Sequence, residues 1–190
     1  MKKERLGYAL TGSFCTFRRS IEQMKTLRSM GYEIYPVMSE NAYTTDTRFG
    51  KAKDITDEIE KIAGKSIIHT IVTAEPIGPK GLCDMMVVAP CTGNTLSKIA
   101  LGVTDTPVTM AVKSQLRVNK PVVLCIATND ALSASAQNIG RLMNTKHIYL
   151  VPLKQDNPSD KPHSLVADFE KLPESIAAAF RGEQLQPVLG

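Results

Sequence analysis

Three short segments concentrate small and hydroxyl-bearing residues where an apolar run gives way to helix-forming sequence. In Leu10-Thr-Gly-Ser-Phe-Cys-Thr16 a Gly-Ser pair precedes such a stretch. Glycine lets a ligand approach the backbone, and the first amides of a helix carry the positive end of its dipole, so the chemistry on offer is anion binding, phosphate included. Ser13 and Thr16 add hydroxyls, although one of them acting as a plain helix N-cap explains the same residues. In Val88-Ala-Pro-Cys-Thr-Gly-Asn-Thr-Leu-Ser-Lys98, Pro90 fixes one dihedral, Gly93 again permits close approach, and Thr92, Asn94 and Thr95 supply polar partners. An N-cap at Thr92 or Asn94 is the plainer alternative. Ala127-Thr-Asn-Asp-Ala-Leu-Ser-Ala-Ser135 repeats the theme after the next apolar run. Neither a G-x-G-x-x-G nor a P-loop spacing occurs, which weighs against dinucleotides and nucleoside triphosphates. With almost no carboxylates in these segments, paired acid–base catalysis is not indicated, whereas a hydrogen-bonding pocket for a ring-and-phosphate cofactor is.

Other reactive groups lie near these segments. Cys15 and Cys91 are thiols that either face the pocket or pack as small apolar residues. Lys98, Lys113 and Arg117 are cations suited to a dicarboxylate; Lys113 and Arg117, four apart on one helix face, equally read as a solvated pair.

The elements that must position these groups follow from the hydrophobic pattern. Gly7–Thr11, Glu33–Met38, Asp84–Ala89, Pro121–Ala127 and His147–Val151 are of strand length and apolar on both parities, as strands covered on both faces must be. Helical candidates fall between and after them: Thr16–Met30, Lys51–Ala63, Thr95–Leu101, Ser133–Asn144 and Ser164–Arg181, four of them followed directly by Gly31, Gly64, Gly102 and Gly182. The alternation predicts a three-layer, doubly wound α/β parallel sheet of the Rossmann-like, flavodoxin-like kind, with ligands beyond the carboxyl ends of the strands. One domain over 1–190 is expected, with a polar loop at 154–163 and a tail at 183–190 that either docks or frays.

Composition narrows the function classes. At 190 residues, 43% hydrophobic and 22% charged, the chain can form one core without staples. Its four cysteines and three histidines lack zinc-site spacing, so no metal is expected. The stretch Met1–Leu10 shows no leader and no run reaches membrane-span length, pointing to a cytoplasmic protein with reduced thiols. A net charge of +4, without tryptophan and with 5% aromatics, gives no basic stripe with stacking residues, so nucleic acid is not the indicated partner.

Thr11-Gly-Ser13, Val37-Met-Ser-Glu-Asn-Ala42 followed by Phe49, Ala89-Pro-Cys-Thr-Gly-Asn-Thr95 with Lys98-Ile-Ala100, and Ala127-Thr-Asn129 resemble, in order, four motifs of the FMN-binding flavoproteins that include phosphopantothenoylcysteine decarboxylase and the flavin prenyltransferases. Ala74-Glu-Pro-Ile-Gly78, Asp105-Thr-Pro-Val-Thr109, Asn129-Asp-Ala-Leu132, Val151-Pro-Leu-Lys-Gln-Asp-Asn157 and Gln186-Pro-Val-Leu189 are similar to one branch of that family, the B subunits of bacterial dipicolinate synthases. The resemblance implies FMN as cofactor, with Gly12, Ser13 and Ser39 around its phosphate. Ala89, Pro90, Cys91, Thr92, Asn94 and Thr95 would then run along the ring and ribityl chain, and Ala127 and Asn129 would close the ring pocket. The family usually carries Ala at the position of Gly93 and commonly Met at that of Thr128, so the ring environment is more open and polar here.

No catalytic residue is assigned by the sequence; the candidates are His69, to which the resemblance points, with Glu75 and Asn94. The decarboxylases carry a histidine shortly before the acidic residue matching Asp84, but here the interval is longer and contains Pro76, Gly78, Pro79 and Gly81. His69 and Glu75 are equally an exposed histidine and a solvated carboxylate. The implied function is oxidation of a dihydrodipicolinate-type dihydropyridine dicarboxylate to dipicolinate in the mother cell of a sporulating bacterium. It implies a trimer-based homo-oligomer and, as partner, the A subunit of dipicolinate synthase, which uses NADP. An FMN-dependent decarboxylase of a peptidyl or pantothenoyl cysteine, and a non-catalytic scaffold or activator of that partner, are the alternatives.

Overall fold

The computed structural model describes residues 3–190; Met1 and Lys2, where the stretch read for a leader begins, lie outside it. Four parallel strands, β1 (Arg5–Leu10), β2 (Glu33–Met38), β3 (Met85–Cys91) and β4 (Val122–Thr128), pair in the order β2-β1-β3-β4. All seven residues of β3 are buried. Its Met and Val side chains each gain roughly 1.5–3 kcal/mol on leaving water, which is why these runs show no polar alternation.

The helices are α1 (Phe17–Ser29), α2 (Glu40–Thr44), α3 (Ala52–Ala63), α4 (Ile71–Ala74), α5 (Gly93–Leu101), α6 (Pro107–Leu116), α7 (Ala136–Met143) and α8 (Leu172–Phe180). Helices α1, α3 and α8 form one layer and α4, α5, α6 and α7 the other, giving the doubly wound arrangement that the alternation predicts. Gly64 (φ 67°) and Gly102 (φ 74°) end α3 and α5 in the left-handed conformation. Among the described residues no helix is long and apolar enough to cross a membrane.

The carboxyl-terminal third departs from the sequence expectation. Ser164–Arg181 is not one helix: Leu165–Ala167 forms strand β7, Phe169–Lys171 a 3-10 turn, and only then does α8 begin. The amino half of β4 pairs with β5 (Ile148–Leu150), which leaves its last residues with a free edge. β7 fills that edge antiparallel, Ala127 opposite Val166, and pairs in turn with β6 (Leu153–Lys154). The 154–163 loop is therefore the turn of a β-hairpin. The tail docks on its own chain, Val188 O accepting from Leu153 N at 2.9 Å and Leu153 O from Gly190 N at 3.0 Å. Helix α6 is absent from the glycine-closed helical candidates because it ends at Arg117 without a glycine.

Candidate functional site

The turns after β1 and β3 are tied into one unit. The Thr11 hydroxyl, buried, donates to Pro90 O at 2.8 Å and accepts from Thr92 N at 3.0 Å. Beyond Thr11 the chain makes a 3-10 turn, Phe14–Thr16, before entering α1. No side chain caps either start: the Thr16 hydroxyl bonds Ser13 O at 2.8 Å instead of an amide. The amides of Phe14 and Cys15 consequently have no protein acceptor among the described residues. At α5 and α2 the outcome is the opposite, Thr92 capping Thr95 N at 3.3 Å and Ser39 capping Ala42 N at 3.4 Å. The capping explanation thus holds for Thr92 and fails for Ser13 and Thr16, which leaves the amides of the 3-10 turn ahead of α1 to a ligand.

That turn opens on a cleft of about 650 Å³ at the carboxyl ends of the strands. Of the residues singled out from sequence, Gly12, Ser13, Thr16, Phe49, Thr92, Gly93, Ala127, Thr128 and Asn129 line it. Ser39, Ala89, Pro90, Cys91, Asn94 and Thr95 do not: Ala89, Pro90, Cys91 and Thr95 are buried supports, Ser39 caps α2, and Asn94 is exposed outside the cleft. Cys15 lines the cleft as an exposed thiol, whereas burial pushes the Cys91 thiol up to about 12 and makes it a packing residue. His69 and Glu75 also stand outside; His69 is exposed and stacked on Tyr43 with ring centroids 4.1 Å apart, and Glu75 receives Arg117 Nη2 at 2.6 Å.

One wall is fixed by a polar cluster. Asp130 Oδ1 accepts from Thr128 Oγ1 at 2.6 Å and from Ser135 Oγ at 2.9 Å, and the Thr128 bond foremost holds the carboxyl below the usual carboxylate range. A Cβ on Gly93 would lie 2.5 Å from Thr128 Oγ1. Glycine at 93 and threonine at 128 are therefore one linked substitution: the hydroxyl occupies the space that an alanine methyl would take.

The cations lie elsewhere than the sequence suggested. Lys98 pairs with Asp105 at 2.8 Å, while Lys113 and Arg117 rim a separate groove between α5 and α6. The cations of the cleft are Arg19, Arg48 and Lys161, facing a single carboxylate, Asp156. Sequence reasoning passed over all four because they come from the first turn of α1 and from two loops, outside the segments rich in small and hydroxyl-bearing residues. The signal available for one of them was the Arg48–Phe49 pair between Thr47 and Gly50, a charged and an aromatic residue in a turn.

Residues 1–181 match the family model described as Flavoprotein. The chain is 47% identical over 189 residues to the B subunit of dipicolinate synthase from Bacillus subtilis (strain 168), covering 100% of this chain and 94% of that protein. The crystal structure of the corresponding B subunit from Bacillus halodurans C superposes with a TM-score of 0.91 at 49% identity, over 98% of this chain and 96% of that one. A dodecameric FMN-dependent Ubix-like decarboxylase from Escherichia coli O157:H7 gives a TM-score of 0.63 at 27% identity, over 78% and 79% of the two chains. The uncapped turn and its cleft therefore sit in a fold shared from end to end with the two dipicolinate synthase proteins, and the chain belongs to the flavoprotein family, in the branch formed by the B subunits of dipicolinate synthase.

Proposed function

We propose that this chain is the B subunit of a dipicolinate synthase, acting in the cytoplasm with an NADP-dependent A subunit to convert a dihydropyridine dicarboxylate into dipicolinate. The ring loses a hydride from carbon to the nicotinamide of NADP and a proton to solvent or a protein base, so two electrons leave as the ring becomes aromatic. Aromatisation supplies driving force, and the protein's work is orientation of the ring and retention of two carboxylates. The observation that carries this reading is the uncapped 3-10 turn Phe14–Thr16, just ahead of α1, opening on a cleft walled by hydroxyls and amides, in a chain alike over its full length to the B subunits of such synthases.

FMN fits these residues. The free amides of Phe14 and Cys15, with Ser13, suit a phosphate; the wall of Ala127, Asn129 and Val166 suits a planar ring. When bound, the flavin would supply hydride-accepting or electrophilic chemistry beside the substrate. Thr11 holds the two turns in register, and the Asp130 cluster fixes the wall beside Gly93. The α5–α6 groove, lined by Ile99, Val103 and Leu116 and flanked by the exposed Leu101, is the face offered to further copies of the chain in a trimer-based oligomer.

The test is a four-way assay of this chain alone, the A subunit on its own, and their mixture with and without added FMN, following dipicolinate formed from the condensation product of aspartate semialdehyde and pyruvate. Dipicolinate that requires both proteins is the expected result. Equal rates when this chain is omitted would overturn a catalytic contribution and leave a scaffold, and carbon dioxide release from a pantothenoyl cysteine would move the chain to the decarboxylases.

A further inference from the structure

Residues 47–50 form a tight turn at the mouth of the cleft. Thr47 and Gly50 exchange backbone hydrogen bonds of 3.0 and 3.1 Å, and Phe49 N donates to Thr47 Oγ1 at 3.1 Å. Asp46 Oδ1 accepts from Ala52 N at 2.8 Å, which fastens the turn to the start of α3. Arg48 and Phe49 stand at its tip and both line the cleft. The turn is therefore held from both ends while its two largest side chains are presented to the opening.

Phe49 is 48% exposed, although a phenylalanine ring left in the core would gain far more from burial. The Arg48 guanidinium lies 4.9 Å from the Phe49 ring centroid and has no carboxylate within 4.0 Å among the described residues. Lys161 is 3.7 Å from Asp156 in the β6–β7 hairpin turn, so part of its charge is answered. Three cations and one carboxylate line the cleft, a balance of 3 − 1 = +2. A planar ligand with two negative charges is the chemical complement of an exposed aromatic face beside an unpaired guanidinium, which matches a carboxylate with two parallel hydrogen bonds.

We propose that the Arg48–Phe49 tip is the substrate-recognition element of the cleft, Phe49 packing on the face of the pyridine or dihydropyridine ring and Arg48 pairing with one of its two carboxylates. This rests on the reading of the chain as part of a dipicolinate-forming enzyme, and adds to it the residues that set specificity. A flavin phosphate shares the dianionic chemistry and is the other possible claimant of Arg48. The free amides after Ser13 serve the phosphate without it, and this assigns the guanidinium to the substrate.

The experiment uses the full chain. Calorimetric titrations with pyridine-2,6-dicarboxylate and pyridine-2-carboxylate are run beside an FMN titration followed by flavin fluorescence, and steady-state rates are measured in the two-protein mixture. The wild type is expected to prefer the dicarboxylate. Arg48→Gln is expected to weaken dicarboxylate binding by about tenfold or more, to bring its preference over the monocarboxylate towards unity, and to leave FMN affinity within about twofold. Arg48→Lys, a point charge without the fork, is expected to fall between. In the mixture, the loss is expected in KM more than in kcat. Phe49→Leu is expected to weaken both pyridine ligands, and Lys113→Gln neither. Unchanged dicarboxylate binding in Arg48→Gln overturns the inference, and so does a loss confined to FMN, which would give the guanidinium to the phosphate. Failure of the wild-type chain to bind the dicarboxylate also overturns it, whereas dipicolinate formation by the wild-type mixture decides whether the functional reading stands.

Discussion

Among the described residues, two concavities rimmed by two or more cations are built in contrasting ways. The groove between α5 and α6, about 380 Å³, is walled by Ile99, Val103, Val112 and Leu116, and its Arg117 is spent on Glu75 at 2.6 Å. In the cleft at the strand ends, Arg19 and Arg48 have no carboxylate partner among the described residues and rest instead on the rings of Phe169 and Phe49, each 4.9 Å away. What separates a ligand-binding cation from a structural one is thus the neighbour that folding places beside it. Lys98, Lys113 and Arg117 have the spacing of a substrate clamp in the sequence, yet Lys98 is paired with Asp105 and the other two border an aliphatic surface. A guanidinium kept without a counter-ion in a cleft is the rarer arrangement, and it is the one that leaves charge for a ligand.

The two regions also differ in how tightly they are built, and glycine substitutions measure it. Behind the groove, where α6 packs on residues 75–78, a Cβ added to Gly78 would overlap Ser114 O, a backbone atom that cannot step aside, and Gly78 N donates to Ser114 Oγ at 2.7 Å. Gly78→Ala is expected to be the most damaging change considered, about 3 kcal/mol or more in urea unfolding. Cofactor affinity per folded molecule should be preserved, because the cleft is remote from this contact. In the cleft, the atom facing Gly93 is a side-chain oxygen, Thr128 Oγ1 at 2.5 Å, which can rotate only by surrendering its bond to Asp130. Gly93→Ala is expected to cost about 1–3 kcal/mol. Gly93→Ala combined with Thr128→Ala should recover most of that loss, a non-additivity that independent sites would not show.

These contrasts bear on what the sequence could disclose. The parallel core was legible because strands buried on both faces read as unbroken apolar runs, and β2 falls at Glu33–Met38 as read. Helix α6 was read only through the Lys113–Arg117 face, and its start was missed even though Thr106 and Pro107 announce it: Thr106 and Thr109 form a capping box and Pro107 stands in the first turn, where its missing N–H costs nothing. The same signal, Pro173 in the first turn of α8, marks the true start of a helix that the polar sequence before it obscured. β7 is three residues long and owes its existence to the free edge of β4, a tertiary cause with no local signature. The cleft-facing turns were legible as strand-to-helix junctions. Arg19 and Lys161 were not, since nothing in a helix-borne arginine or a hairpin lysine says which surface it will meet.

A smaller effect separates the cleft from the base of the sheet by their response to acid. At the base, burial works against the ionised form of Asp84, and bonds from Arg5, Nη2 at 2.8 Å among them, outweigh it and hold the carboxyl low. In the cleft, Thr128 and then Ser135 lower Asp130. A carboxyl depressed in the folded state adds stability that is present above its unfolded value, about 3.9, and fades as pH falls through the lower folded value. Thermal midpoints from pH 7 to pH 3 should therefore decline on the acid side in the wild type. Asp130→Asn should flatten part of that decline and Asp84→Asn a separate part, and identical slopes in the variants would remove both carboxyls from the acid response.

The smallest expected effect belongs to one of the three cations that the sequence offered for a dicarboxylate. Arg117 and Glu75 are each about half exposed, at 47% and 48%, so their 2.6 Å contact is screened by solvent and ions. Arg117→Gln should shift stability by no more than about 1 kcal/mol and leave pyridine dicarboxylate binding unchanged. Its value lies in the pairing with Arg48→Gln: two arginine-to-glutamine changes, the same in charge removed, one beside a glutamate on an aliphatic groove and one beside a phenylalanine in the cleft. If both weakened ligand binding equally, the effect would be a general loss of positive field rather than a contact, and the distinction between the two concavities would collapse. A difference of about tenfold between them at one salt concentration would locate the interaction at the guanidinium itself.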